Sequence, residues 1–193
     1  MLRCMTIALA LLLSTPALAQ KCTGAAINTD DGRFTINQQD GTVLDIATGL
    51  MWQRCLTGMQ GEECSAGSAT KLTKKSARLN TSLANEDRLD GYSDWRIPSI
   101  TELSSLLKEG CKSPSINLAV FPATPNTFVW TTAPNKQHEH FSWYVHFNTG
   151  KSGHIWGDRT YTLRMVRTAI QQEERPTAID KSQPYWWKKL PSK

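Results

Sequence analysis

The cysteines constrain this chain most. The first of the five, Cys4, lies ahead of an apolar run, Met5–Leu13, which is preceded by Arg3 and followed by Ala17-Leu18-Ala19. A basic residue, a short apolar stretch and an A-x-A cleavage signal predict a secretory leader over 1–19, with the mature chain starting near Gln20. The run is too short to span a bilayer, and nothing later reaches transmembrane length. Cleavage removes Cys4 and leaves Cys22, Cys55, Cys64 and Cys111, an even set in an oxidising compartment, which predicts two disulfides. Four cysteines allow three connectivities. Cys55 and Cys64 bracket a polar, Gly-containing loop, LTGMQGEE, where a bridge requires little chain closure. That pairing leaves Cys22 for Cys111, tying the mature N-terminus to the end of a helix. A zinc site lacks the C-x-x-C or paired-His spacing it would need.

The 193 residues suit one domain with a proper core. The formal charge of +5 becomes +4 once Arg3 leaves with the leader, a mild excess that favours anionic partners without identifying one. No nucleic-acid module is recognisable, and nucleic acid is not expected as a partner.

The N-terminal lead over 20–40 begins polar, with TGAAINTDDG after Cys22; RFTIN within it, then TVLD and LMWQRC, read as strands, the last two joined by a turn ending at Gly49. Met51 and Trp52 are expected to face the core. Over 68–85 the period changes: Ala69, Leu72, Ser76, Leu79 and Leu83 recur at helical steps and predict the buried face of a first helix. In GYSDWRIPSITEL, Ser99 and Glu102 form a capping box that starts a second helix, with Leu103, Leu106 and Leu107 as its stripe and Gly110 as its stop. FVWTTA, FSWYVHF, GHIW and TLRMVRT then read as strands, with Trp143, Val145 and Phe147 inward and Tyr144 and His146 on a wetter face. Strands, two helices and more antiparallel strands make an α+β chain. From 169 to 193 the composition turns polar and aperiodic, an extension rather than core.

In order along the chain, GTVLDIATGLMWQRC, Cys64, GYSDWRIPSITEL, the Cys111–Asn117 stretch, FPATP, VWTT, WYVHF with its glycine turn, and LRMVR resemble the Lcl C-terminal domain family, over 41–168. The family is named for a bacterial collagen-like adhesin. The resemblance implies a C-type-lectin-like fold related in architecture to the formylglycine-generating enzymes. It also implies binding outside the cytoplasm, often at the cell surface, and, for the adhesin that names the family, recognition of sulfated glycosaminoglycans.

Several groups compete for a functional role. Asp94, Trp95 and Arg96 could be catalytic, but no base, nucleophile or metal partner sits at a telling offset. With Trp52, Ser99 and Glu102 they read instead as a structural motif whose polar groups need partners. The formylglycine-generating enzymes use a reactive cysteine pair, whereas here every mature cysteine is expected in a structural bridge. No G-x-S-x-G, H-E-x-x-H or Gly-rich phosphate loop is present, so no enzyme is expected and no cofactor. His138 and His140, with His154, lack an evident third ligand; Glu86, Asp87, Asp90 and Asp94 lack the E-P-N or W-N-D motifs of calcium lectins. No metal is assigned.

Lys71, Lys74, Lys75 and Arg78 fall at i, i+3, i+4 and i+7, a basic stripe whose mutual repulsion an anionic polymer would relieve. Lys151, Arg159 and Arg164 form a vaguer second set. Tyr185-Trp186-Trp187-Lys188-Lys189 could contact a protein partner, a sugar, a membrane interface or the domain itself. The expectation is an exported binding domain, in the periplasm or at the surface of a bacterium, for an anionic or sulfated glycan. The competing class is a structural or protein-interaction module of a larger assembly.

Overall fold

A computed structural model describes residues 20–23 and 32–169. The expected leader, the Gly24–Asp31 part of the lead and the extension from Ile170, with Trp186 and Trp187, lie outside the described residues. Both disulfides form as the loop argument predicts. Cys55 joins Cys64 across nine positions, and Cys22 joins Cys111 across 89.

The α+β architecture uses antiparallel sheets throughout. Strand β1 (Lys21–Cys22) runs along a later strand beside the long disulfide. Next come β2 (Phe34–Asn37), β3 (Thr42–Asp45) and β4 (Leu50–Gln53). The β3–β4 turn closes through Gly49, which donates its N–H to Asp45 O at φ +71°, a backbone conformation that glycine adopts without a Cβ clash. Two short strands, β5 (Met59–Gln60) and β6 (Ala66–Gly67), pair within and beyond the Cys55–Cys64 loop. Buried Arg54 holds that loop, donating to Val120 O at 3.2 Å and to Glu62 O.

Helices α1 (Lys74–Glu86) and α2 (Ile100–Ser104) follow, then β7 (Cys111–Lys112), the partner of β1. Strands β8 (Phe128–Trp130), β9 (Phe141–His146) and β10 (Lys151–Trp156) form a second sheet in the order β10-β9-β8. Strand β11 (Val166–Thr168) returns to the first sheet beside β4, giving the order β11-β4-β3-β2.

Strand β4 is buried on both faces because the first sheet separates two cores. Its period of two sends Leu50 and Trp52 into one cluster, with Leu103, Phe121, Val145 and Phe147. It sends Met51 into the other, with Trp95, Trp130, Tyr161 and Leu163.

Helix α1 departs from the sequence expectation. Leu72 exchanges backbone hydrogen bonds with Tyr161, which keeps the chain extended until Thr73 caps the helix. The buried face is Ala77, Thr81 and Ala84, whereas Leu79 and Leu83 are 56% and 45% exposed. The second cluster explains the choice: Trp95, Trp130 and Tyr161 already fill the space, so the helix approaches on its small residues. Thr81 satisfies its hydroxyl on Ala77 O at 2.9 Å.

Helix α2 is also shorter than expected. It ends at Ser104, well before Gly110, because Leu106 and Leu107 close tight turns onto Leu103 O and Ser104 O, and Leu107 then bridges to Ile116. Val145 in β9 and Phe147 just after it are inward as expected. Trp143 is only half-buried, and Tyr144, expected on the wetter face, packs against the second cluster.

Candidate functional site

The GYSDWR corner spends its polar groups on itself. Trp95 is buried and donates Nε1–H to Leu89 O at 2.9 Å. Asn85, near the end of α1, brackets the Trp95 backbone, accepting its N–H at 2.7 Å and donating to its carbonyl at 2.9 Å. Arg96 grips Glu102 with two bonds of 2.8 and 2.7 Å. Glu102 also accepts the Ser99 N–H at 2.8 Å, while Ser99 Oγ accepts the Glu102 N–H at 3.2 Å, completing the capping box. Burial pushes the Glu102 carboxyl up, but the bonds from Arg96 and Ser99 outweigh it and hold the group at about 2. Asp94 accepts from Arg167 at 2.6 Å, and that guanidinium lies over the Tyr92 ring. The corner fastens α1, α2 and β11 together. Trp52 is fully buried in the first cluster, away from any opening.

The basic stripe is rearranged by the late start of α1. Lys71 sits in the extended segment before the helix, so the four cations do not share one helical face. Lys71 and Lys75 are exposed. Lys74 reaches across to the loop before β9, donating to Phe141 O at 2.9 Å and to Glu139 O. Arg78 meets the Glu139 carboxylate at 3.9 Å in an exposed pair of small energetic value. Lys74, Arg78 and Glu139 line a pocket of about 170 Å³ with Trp130, Thr131 and Phe141. Thr131 is 5% exposed, and its hydroxyl has no hydrogen-bond partner among the described residues.

Beside this pocket the β9–β10 hairpin carries rings on one face. The register sets Phe141 opposite Trp156 and Trp143 opposite His154. Phe141 and Trp156 meet edge to face at 5.1 Å, Phe141 and His154 at 4.7 Å, and Trp143 and His154 lie 4.4 Å apart. His140 adds a tilted contact with Trp156, and Trp143 donates to His138 O at 3.0 Å. Trp156 is 66% exposed.

The order of motifs has a counterpart in direct comparison, since the sequence profile of the Lcl C-terminal domain matches residues 41–167. The chain belongs to the Lcl C-terminal domain family. Searches of curated proteins and of solved structures found no match.

A larger cleft in this Lcl C-terminal domain has the opposite charge from the stripe. It encloses about 670 Å³ between the β2–β3 turn, the Cys55–Cys64 loop and the C-terminal half of α1. Asp40, Glu62, Asp87 and Asp90 line it, over the apolar surface of Leu83, Leu89 and Met165. Burial, aided by the charge of Asp40, pushes Asp90 up to about 6. A carboxylate whose folded pKa is raised binds a proton more tightly in the native state. Stability therefore rises as pH falls from about 6 towards the usual 3.8, and is least above 6. Asp90 sits at φ +56°, a conformation asparagine tolerates well. Asp90→Asn is expected to stabilise the domain by about 1 kcal/mol near neutral pH, with the gain fading as pH falls from about 6 and gone below about 4. Urea titrations at several pH values measure it.

The other sequence candidates are dispersed. Glu86 is exposed, Asp87 caps α1 and Asp94 is paired with Arg167, so the four acids do not meet. Among the described residues no three histidines, cysteines or acids are placed to hold a metal ion. Lys151 pairs with His146 at the far end of the hairpin from Trp156. Arg159 is exposed and donates to Asp158 O within its own loop. Arg164 corrects the sequence reading: it is completely buried and unavailable to any ligand. Sequence reasoning missed Thr131, Glu139 and the ring strip. The alternation in FSWYVHF and GHIW was the available signal, but facing them requires the hairpin register.

Proposed function

We propose that this Lcl C-terminal domain is an exported, non-catalytic, adhesin-like binding module with a C-type-lectin-like fold, and that its ligand is an anionic or sulfated glycan. The observation that carries the reading is the pocket between α1 and β9, which Lys74 and Arg78 line together with Glu139 and buried Thr131. An ammonium and a guanidinium are donors suited to a sulfate or carboxylate that competes with the exposed Arg78–Glu139 pair, and Lys71 and Lys75 extend the positive field outside. The non-catalytic part is supported by Asp94, Arg96 and Glu102, which are taken up in ion pairs of the corner. Export to the periplasm or cell surface is supported by the two disulfides, which persist in oxidising compartments. No described helix is long and apolar enough to cross a membrane.

The mature protein is expected to stay on a heparin column to a higher salt concentration than a control of equal net charge. Lys71→Ala/Lys74→Ala/Lys75→Ala/Arg78→Ala should lower heparin affinity about tenfold or more at moderate salt while leaving the fold intact by circular dichroism. Elution of the wild type with the control sinks the glycan reading. A second reading, a protein-interaction module, is favoured by the acidic cleft with exposed Leu83, which suits a basic partner segment.

A further inference from the structure

The ring strip suits a ligand that charge alone does not describe. Its outermost member, Trp156, is held rather than loose: Phe141 abuts it edge to face at 5.1 Å, and His140 lies 5.9 Å away at an interplanar angle of 32°. Both contacts restrict the indole before any ligand arrives, which lowers the entropy lost on binding. With two thirds of its surface exposed, the indole still leaves an open area. A flat apolar surface with an N–H at its rim matches a sugar ring, which presents an apolar C–H face and a girdle of hydroxyls.

The strip and the cationic pocket share a wall. Phe141 lines the pocket with Lys74, Arg78 and Thr131, and the same ring touches Trp156. Phe141 thus joins the indole to the residues that surround the cations. A ringless polyanion could use only the pocket, and a neutral sugar only the platform.

We infer that Trp156, supported by Phe141 and His140, is a stacking platform for a pyranose ring of an acidic polysaccharide whose charged group enters the Lys74/Arg78/Thr131 pocket. This rests on the glycan reading above and adds the ring as a recognised element. Binding then has two components, one screened by salt and one that persists when salt is raised.

The test compares three polymers on the mature protein: dextran sulfate, polyvinyl sulfate of matched charge density, and neutral dextran. Affinities are measured by calorimetry at low and high NaCl for wild type, Trp156→Ala, Trp156→Tyr and Lys74→Ala/Arg78→Ala. The wild type should prefer dextran sulfate to polyvinyl sulfate by about tenfold, the scale of one good aromatic stack. Trp156→Ala should erase that preference and leave polyvinyl sulfate binding unchanged, while Trp156→Tyr retains most of it. The charge variant should weaken both polyanions.

Equal affinity for the two polyanions, or a preference untouched by Trp156→Ala, overturns the platform while the glycan reading stands. Failure to bind either polyanion overturns that reading. In that case Trp156-dependent binding of dextran keeps the platform, and its absence removes it as well. A Trp156→Ala variant that changes oligomeric state in sedimentation instead assigns the indole to a second copy of the chain and overturns the inference.

Discussion

Arg164→Ala is expected to cost about 4 kcal/mol of folding stability, the largest effect of any single substitution considered for this domain. The side chain is wholly buried, and none of the ion pairs among the described residues includes it. Its guanidinium instead donates to Gln53 O at 2.6 Å, to Arg54 O and to Thr124 Oγ1 at 2.9 Å, and it lies 4.6 Å from the centroid of the Phe121 ring. Burial pushes its pKa down to about 9, the mark of a cation kept from water. Alanine would orphan two carbonyls at the end of β4 and leave a cavity beside Phe121. Arg164→Met fills most of that space and should lose roughly half as much, although the carbonyls remain unpaired. Urea denaturation of the oxidised protein measures both. A loss below about 1 kcal/mol for alanine would mean that water replaces the guanidinium and that the site is less closed than its burial indicates.

The second large effect concerns the long disulfide. Paired replacement of Cys22 and Cys111 by serine releases a loop of 89 positions, for which the chain-entropy relation gives about 4.5 kcal/mol. The same replacement of Cys55 and Cys64 releases nine positions and should cost about 2.5 kcal/mol. The ordering is the sharper expectation, since strain enters both absolute values. Thermal unfolding of the two double variants decides it. A greater loss from the short loop would show that the Cys55–Cys64 bridge acts by fixing the contacts of Arg54 and Glu62 rather than by closing chain.

Local features were legible in the sequence because local chemistry fixes them. The β3–β4 hairpin follows from alternation and one glycine, the capping box from Ser99 and Glu102, and the disulfide pairing from loop length. Contacts between distant segments were not. Leu79 and Leu83 have the right spacing for a buried face, yet three bulky rings from elsewhere in the chain require Ala77, Thr81 and Ala84 to turn inward. The same holds for the candidate site. Lys74 and Arg78 were visible as charges, but Glu139, Phe141 and Thr131, which make a pocket of them, come from more than 50 positions away. Arg164 was misjudged because an arginine carries no sign in its own neighbourhood that carbonyls at Gln53 and Arg54 will replace its hydration.

The Cys22–Cys111 bridge also decides how the domain meets mechanical load. Tension applied between the two ends of the described chain passes from Cys22 through the sulfurs directly to Cys111, bypassing everything between them. Helices α1 and α2 and strands β2 to β4 lie in that bypassed stretch. Pulled by its ends, the oxidised domain can lengthen only through the part from Cys111 onward. Reduction places the whole intervening loop in series with the load, so the redox state of one bond sets how far a tethered copy can stretch.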